Sequence, residues 1–230
     1  MWLKKNWVYG LLALSVLFAI LGITSNNFVF KSGTAGMGII IILILNLKMK
    51  TMAKDTLMIL AAFLFSIIGD WFLSNMNGDN LMFVKGIALF FLAHVGYLAF
   101  ALMNGRIKRT FTSMVLAAYL IFFFSVLYPT FTDKTLMLAS LMYLLISCFS
   151  LGASMGMRGD RIVKRAYVFG IVLILFSDTI ISLKEFLHYY RFDFLITPTY
   201  YLAHIFITYS LMKKFENTPQ TETQTKSRQS

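Results

Sequence analysis

Asp70 and Asp178 are the residues whose chemistry most needs a reason. Each lies within a long apolar stretch, 57–73 and 168–183, with no other charge beside it. On insertion scales a carboxylate at membrane depth is unfavourable by roughly 2.5–3.5 kcal/mol. The apolar stretch after each aspartate carries a histidine in the same tripeptide, Leu92-Ala93-His94 and Leu202-Ala203-His204. Two carboxyls and two imidazoles placed this way can move protons, hold the polar end of a substrate or ligate a metal.

The elements that must position them follow from composition. The chain is 58% hydrophobic, 16% aromatic and only 13% charged, with a mean hydropathy of +0.73. That excludes an ordinary soluble domain. A membrane span needs about 20 apolar residues. The stretches 7–23, 34–47, 56–74, 83–103, 111–127, 135–154, 166–186 and 196–212 fit, the second being the shortest. Hydrocarbon offers no hydrogen bonds to an open backbone, and these runs are too long and too continuously apolar for barrel strands, so they are helices. The expectation is an all-α polytopic membrane protein, eight transmembrane helices within residues 1–215. The polar tail 216–230 is rich in Thr and Gln, cannot bury a core and reads as disordered.

Loop charges set the orientation, because Lys and Arg are retained on the cytoplasmic side. With the N-terminus inside, the inner segments hold Lys4, Lys5, Lys48, Lys50, Lys54, the basic residues of 106–109 and 158–165, Lys213, Lys214, Lys226 and Arg228. The outer loops hold only Lys31, Lys134 and Arg191. Both termini are therefore expected in the cytoplasm, in a membrane read as the bacterial inner membrane. The net charge of +11 is what this topology requires and implies no nucleic-acid partner; protein partners are not legible. The first helix reads as retained rather than as a cleaved signal peptide, since no clear small-x-small site follows it. Cys148 is the single cysteine, so no intramolecular disulfide can form.

The two halves of the chain look related. Four helices precede Arg106 and four follow it, the Asp-to-His spacing is nearly equal in both, and Phe-Ser pairs precede both aspartates at 65–66 and 176–177. A parallel repeat of four helices is the expectation. Counted from the outer helix ends at about 1.5 Å per residue, Asp70, Asp178, His94 and His204 fall within a layer roughly 10 Å deep. They could line one cavity. Residues three, four and seven apart share a helix face, which adds Ser66 and Ser74 to Asp70, Ser182 and Glu185 to Asp178, Tyr97 to His94, and Thr197, Tyr200, Tyr201 and Thr208 to His204.

Plainer roles exist for each group. A buried carboxyl can bridge helices as polar glue, and a buried histidine can be a satisfied core residue. Tyr189, Tyr190, Tyr200, Tyr201 and Trp71 suit an interfacial aromatic belt.

The runs Phe65-Ser66-Ile67-Ile68-Gly69-Asp70-Trp71-Phe72-Leu73, Phe91-Leu92-Ala93-His94-Val95-Gly96-Tyr97 and Leu175-Phe176-Ser177-Asp178 resemble the YhhN-like family of membrane proteins, which includes the lysoplasmalogenases. The resemblance extends over the whole apolar region and leaves out the polar tail. None of its motifs falls on His204, whose role rests on repeat and depth alone.

That resemblance implies hydrolysis of the vinyl ether bond of a lysoplasmalogen, giving a fatty aldehyde and a glycerophospho-base, with a lysophospholipid as substrate and no cofactor or metal. A vinyl ether becomes electrophilic only when its distal alkene carbon is protonated, and water then captures the oxocarbenium ion. Such a site needs an acid and a base, and two carboxyls in one pocket can divide those roles. Asp70 is expected as acid and Asp178 as base or cation stabiliser. His94, Tyr97, Tyr200, Tyr201, His204, Ser66 and Ser177 are the expected substrate-binding residues. Two alternatives use the same residues: a proton-coupled transporter, or a zinc-dependent lipid hydrolase with the histidines and aspartates as ligands.

Overall fold

The computed structural model describes residues 3–25, 28–47 and 52–217. Lys48, Lys50, the side chains of Lys4 and Lys5, and the tail from 218 with Lys226 and Arg228 lie outside the described residues. Each apolar stretch has become a helix: α1 Leu3–Thr24, α3 Gly33–Asn46, α4 Lys54–Ser74, α5 Asn80–Met103, α6 Arg109–Phe122, α7 Lys134–Met155, α8 Arg161–Leu187 and α9 Asp193–Asn217, with the single turn α2 Phe28–Lys31 before α3. Among the described residues there is no strand, only an isolated bridge between Gly105 and Met157. The fold is all-helical.

Six helices, α1, α4, α5, α6 with its continuation to Thr130, α7 and α8, are long and apolar enough to cross a membrane. α3 has 14 residues, too short to cross alone by the usual rise. α9 has 25, but its Thr, Tyr and His content dilutes it, and it is not among the six. It also runs past the expected start of the tail: Glu216 accepts the Tyr9 hydroxyl at 2.7 Å, tying α9 to α1.

Polar residues punctuate the helices where the sequence places them. Asp79, Asp133 and Asp160 each accept a backbone N–H of the first turn of α5, α7 and α8, at 2.7–2.8 Å. A side-chain acceptor there satisfies an amide that the helix itself cannot. Asn77 and Gly78 take positive φ, 43° and 81°, to turn α4 into α5. α6 ends differently: it widens into one π-helical turn, Phe123–Leu127, then tightens into Tyr128–Thr130. π turns concentrate at functional sites, and this one lines a cavity described below.

Without a hydrophobic force between helices in lipid, small residues let backbones approach. A Cβ on Gly96 would stand 2.6 Å from the Met58 carbonyl oxygen, so α5 presses directly onto α4. A Cβ on Gly170 would stand 2.7 Å from Ile207 and 3.0 Å from the Ala203 carbonyl, so α8 presses onto α9 in the same way. Against these pairs lie α7 on α5 and α3 on α9. Phe63, Tyr97, Phe100, Tyr167, Ile171 and Ile207 fill the centre and are fully buried.

At one end of the bundle Asp55 opens α4, Asn104 closes α5 and Lys214 lies in the last turn of α9. Lys214 Nζ donates to the Asp55 carboxylate and, at 2.8 Å, to Asn104 Oδ1, while Asn104 Nδ2 donates to Asp55 at 2.9 Å. Every group in this cluster is used on another.

Candidate active site

At the opposite end, α4 and α8 bring their aspartates to one place. Asp70, a turn before the end of α4, and Asp178 of α8 both line a cavity of about 270 Å³. Its polar wall includes Lys31, Ser74, Ser177, Lys184, Glu185, Thr197, Tyr200 and Tyr201. A second cavity of about 90 Å³ lies against it, walled by apolar side chains of α5, α7, α8 and the end of α6, among them Ile87, Phe122, Phe123, Leu127, Leu144 and Phe186. Leu73, Phe83, Phe90, Asp178 and Ile181 belong to both walls. Asp178 therefore stands where an apolar slot meets a polar chamber.

Each carboxylate is held by a tyrosine, and each tyrosine ring stands edge-on to a buried histidine. Asp178 Oδ2 accepts the Tyr143 hydroxyl at 2.5 Å, and the Tyr143 ring lies 5.2 Å from that of His94. Asp70 Oδ2 accepts the Tyr200 hydroxyl at 3.1 Å, and the Tyr200 ring lies 4.5 Å from that of His204. His94 also reaches toward Asp178: its Nε2 is 3.8 Å from Oδ2, beyond a hydrogen bond. Neither ring nitrogen of His94 or of His204 has a hydrogen-bond partner, and both side chains are at most 1% exposed.

The expected binding residues divide accordingly. Tyr200, Tyr201 and Ser177 line the polar chamber, although the Ser177 hydroxyl is spent on the Ile196 carbonyl at 3.0 Å. His94, His204, Tyr97 and Ser66 line neither cavity. Ser66 and Tyr97 share a hydrogen bond of 3.4 Å in the core, and Tyr97 accepts the Tyr167 hydroxyl on its carbonyl at 2.7 Å. His204 is wedged between Phe63 and Tyr200. Of these four groups only the carboxylates line the open volume; the histidines are clamped one layer behind by aromatic rings. Tyr189, Tyr190 and Trp71 are exposed, as an interfacial belt requires.

Two residues at the site carry roles that the sequence reading did not give them. Tyr143 makes the shortest contact to Asp178, and the signal was the stripe Ser140, Tyr143, Ser147 on one face of α7, all three lining the apolar slot. Lys31 was read only as an outer-loop cation, yet it lines the chamber. Among the described residues no three of His, Cys, Asp and Glu converge as a metal site needs.

The model of the YhhN family matches residues 28–211, most of the chain. No curated protein and no solved structure matches it significantly.

Proposed function

Because the chain belongs to the YhhN family, we propose that it is a membrane-embedded hydrolase that cleaves the vinyl ether bond of lysoplasmalogens. The observation that carries this reading is the junction at Asp178 between an apolar slot and a polar chamber that also holds Asp70. A vinyl ether is such a junction in chemical form: an alkenyl chain on one side, glycerol and its polar headgroup on the other. The slot accepts the first carbons of the chain, and the remainder continues into hydrocarbon.

Asp70 is assigned as the acid, delivering a proton to the distal alkene carbon. The adjoining carbon becomes an oxocarbenium ion, facing Asp178, whose oxygen already accepts from Tyr143. Water, deprotonated by the Asp178 carboxylate, adds to that carbon. The resulting hemiacetal breaks its bond to the glycerol oxygen, which takes the proton held by Asp178, while the hemiacetal hydroxyl returns a proton to Asp70, giving fatty aldehyde and glycerophospho-base. One water is consumed. Tyr143 and Tyr200 fix the two carboxylates, and His94 and His204 fix the tyrosines. Because one carboxyl must be protonated and the other ionised, activity has two limbs in pH.

The bundle is read further as eight spans in a parallel repeat with both termini cytoplasmic. Exchanging the halves, α1 for α6, α3 for α7, α4 for α8 and α5 for α9, maps the contacts between successive helices onto each other, and maps α5 on α7 onto α9 on α3. That correspondence supports the repeat, although α1 packs on α9 without a comparable contact of α6 on α5. α3 reaches the outer face with the help of α2.

The test is purified protein in detergent given vinyl ether, saturated ether and ester lysolipids. Aldehyde release from the vinyl ether alone is expected. Preferential ester cleavage would overturn the reading, because a protonation-first site offers no oxyanion hole to an acyl carbonyl.

A further inference from the structure

The polar chamber carries more charge than proton transfer uses. Besides the aspartates, its wall holds Lys31 at the end of α2 and the adjacent pair Lys184 and Glu185 near the end of α8. Lys31 makes no hydrogen bond or ion pair among the described residues, though its charge acts on Asp70 across the chamber. Lys184 has Glu185 at 3.7 Å and Asp193 at 4.0 Å, both beyond hydrogen-bond length. An ammonium has three donors to place. Lys31 and Lys184, on different elements, thus line one chamber, Lys184 ion-paired but neither within hydrogen-bond length of an acceptor among the described residues, and Glu185 stands beside them as an acceptor for a cation.

We propose that Lys31 and Lys184 bind the phosphate of the lysophospholipid headgroup and that Glu185 takes its ammonium, making the outer part of the chamber a zwitterionic headgroup subsite. This assignment rests on the hydrolase reading above. With the ether oxygen at Asp178 and the chain in the slot, the glycerol backbone carries the phosphodiester into the chamber, whose wall holds both lysines. A phosphodiester oxygen fills donors that the protein leaves open, and charge-assisted bonds of this kind are the strong ones. The lysines also keep the phosphate apart from the Asp70 and Asp178 carboxylates that share the chamber.

The test is competition binding to the full chain in uncharged detergent, with labelled saturated-ether lysophosphatidylethanolamine as probe. The competitors are saturated-ether lysophosphatidate, the headgroup-free alkylglycerol and inorganic phosphate. Saturated ethers cannot be hydrolysed by alkene protonation, so binding is read apart from turnover. The wild type is expected to prefer the phosphorylated lysolipids to alkylglycerol by roughly 10-fold or more. Lys31→Gln and Lys184→Gln should each reduce that preference by at least about 5-fold, while Lys31→Arg keeps it. Glu185→Gln should erase the advantage of the ethanolamine headgroup over lysophosphatidate. Absence of the preference in the wild type, or its survival in both glutamine variants, overturns the subsite; so does inorganic phosphate competing as well as the lysolipids, which would mark a site for free anion. Aldehyde release without headgroup preference would sink the subsite alone. Preference without aldehyde release would sink the hydrolase.

Discussion

The two ends of the bundle treat the same residue types in opposite ways. At one end Asp55 is closed in by Asn104 and Lys214, with its side chain 12% exposed. At the opposite end Asp70 and Asp178 each accept one tyrosine hydroxyl and line a cavity. A carboxylate whose neighbours saturate it ties helices together; one that keeps an oxygen for a guest can do chemistry. A largely buried aspartate is therefore not functional by burial alone. What distinguishes the two ends is whether the partners leave room.

Neutralising the cavity carboxylates should have the largest effect. Asp178→Asn and Asp70→Asn should each reduce lysoplasmalogen turnover at least about 100-fold, the usual weight of an acid-base group, with thermal unfolding close to wild type. Near-normal aldehyde release from either variant would return that aspartate to packing.

Asp55→Ala should do the reverse. Removing the carboxylate partner of Lys214 costs about 2 kcal/mol of stability, seen as a lower Tm, while kcat at a permissive temperature changes by less than about 2-fold. A large loss of kcat at unchanged Tm would show the ends to be catalytically coupled.

The helices and the aspartates were legible because both depend on local terms. Apolar runs of sufficient length force helices at 7–23 through 196–212, and the insertion cost of Asp70 and Asp178 marks them whatever surrounds them. The histidines were legible as buried but not as excluded from the cavity, because that is decided by how Tyr143 of α7 and Tyr200 of α9 come between them and the open volume. Depth along a helix is written in the sequence; rotation of one helix against another is not. For the same reason Tyr143 was hidden among eleven tyrosines, a residue common in membrane helices. Lys31 was hidden because topology alone accounts for a loop lysine.

A smaller effect sharpens the role of the tyrosines. Tyr143→Phe should lower kcat by about 10-fold by loosening Asp178, and Tyr200→Phe, whose bond to Asp70 is longer, by less. An equal rise in KM with kcat unchanged would make them substrate contacts instead. The smallest expected change is that from a strong chelator, under about 2-fold; loss of activity restored by zinc would move the chemistry to a metal hydrolase.

The central claim is that Asp70 and Asp178 act as one unit on one bond. Its most direct test is aldehyde release by Asp70→Asn, Asp178→Asn and the double variant, measured on the same vinyl ether lysolipid. Groups that act as a unit are grossly non-additive. The account predicts a double variant within about 3-fold of the worse single one. Losses that multiply would mean two independent contributions, and the shared acid-base site would be wrong.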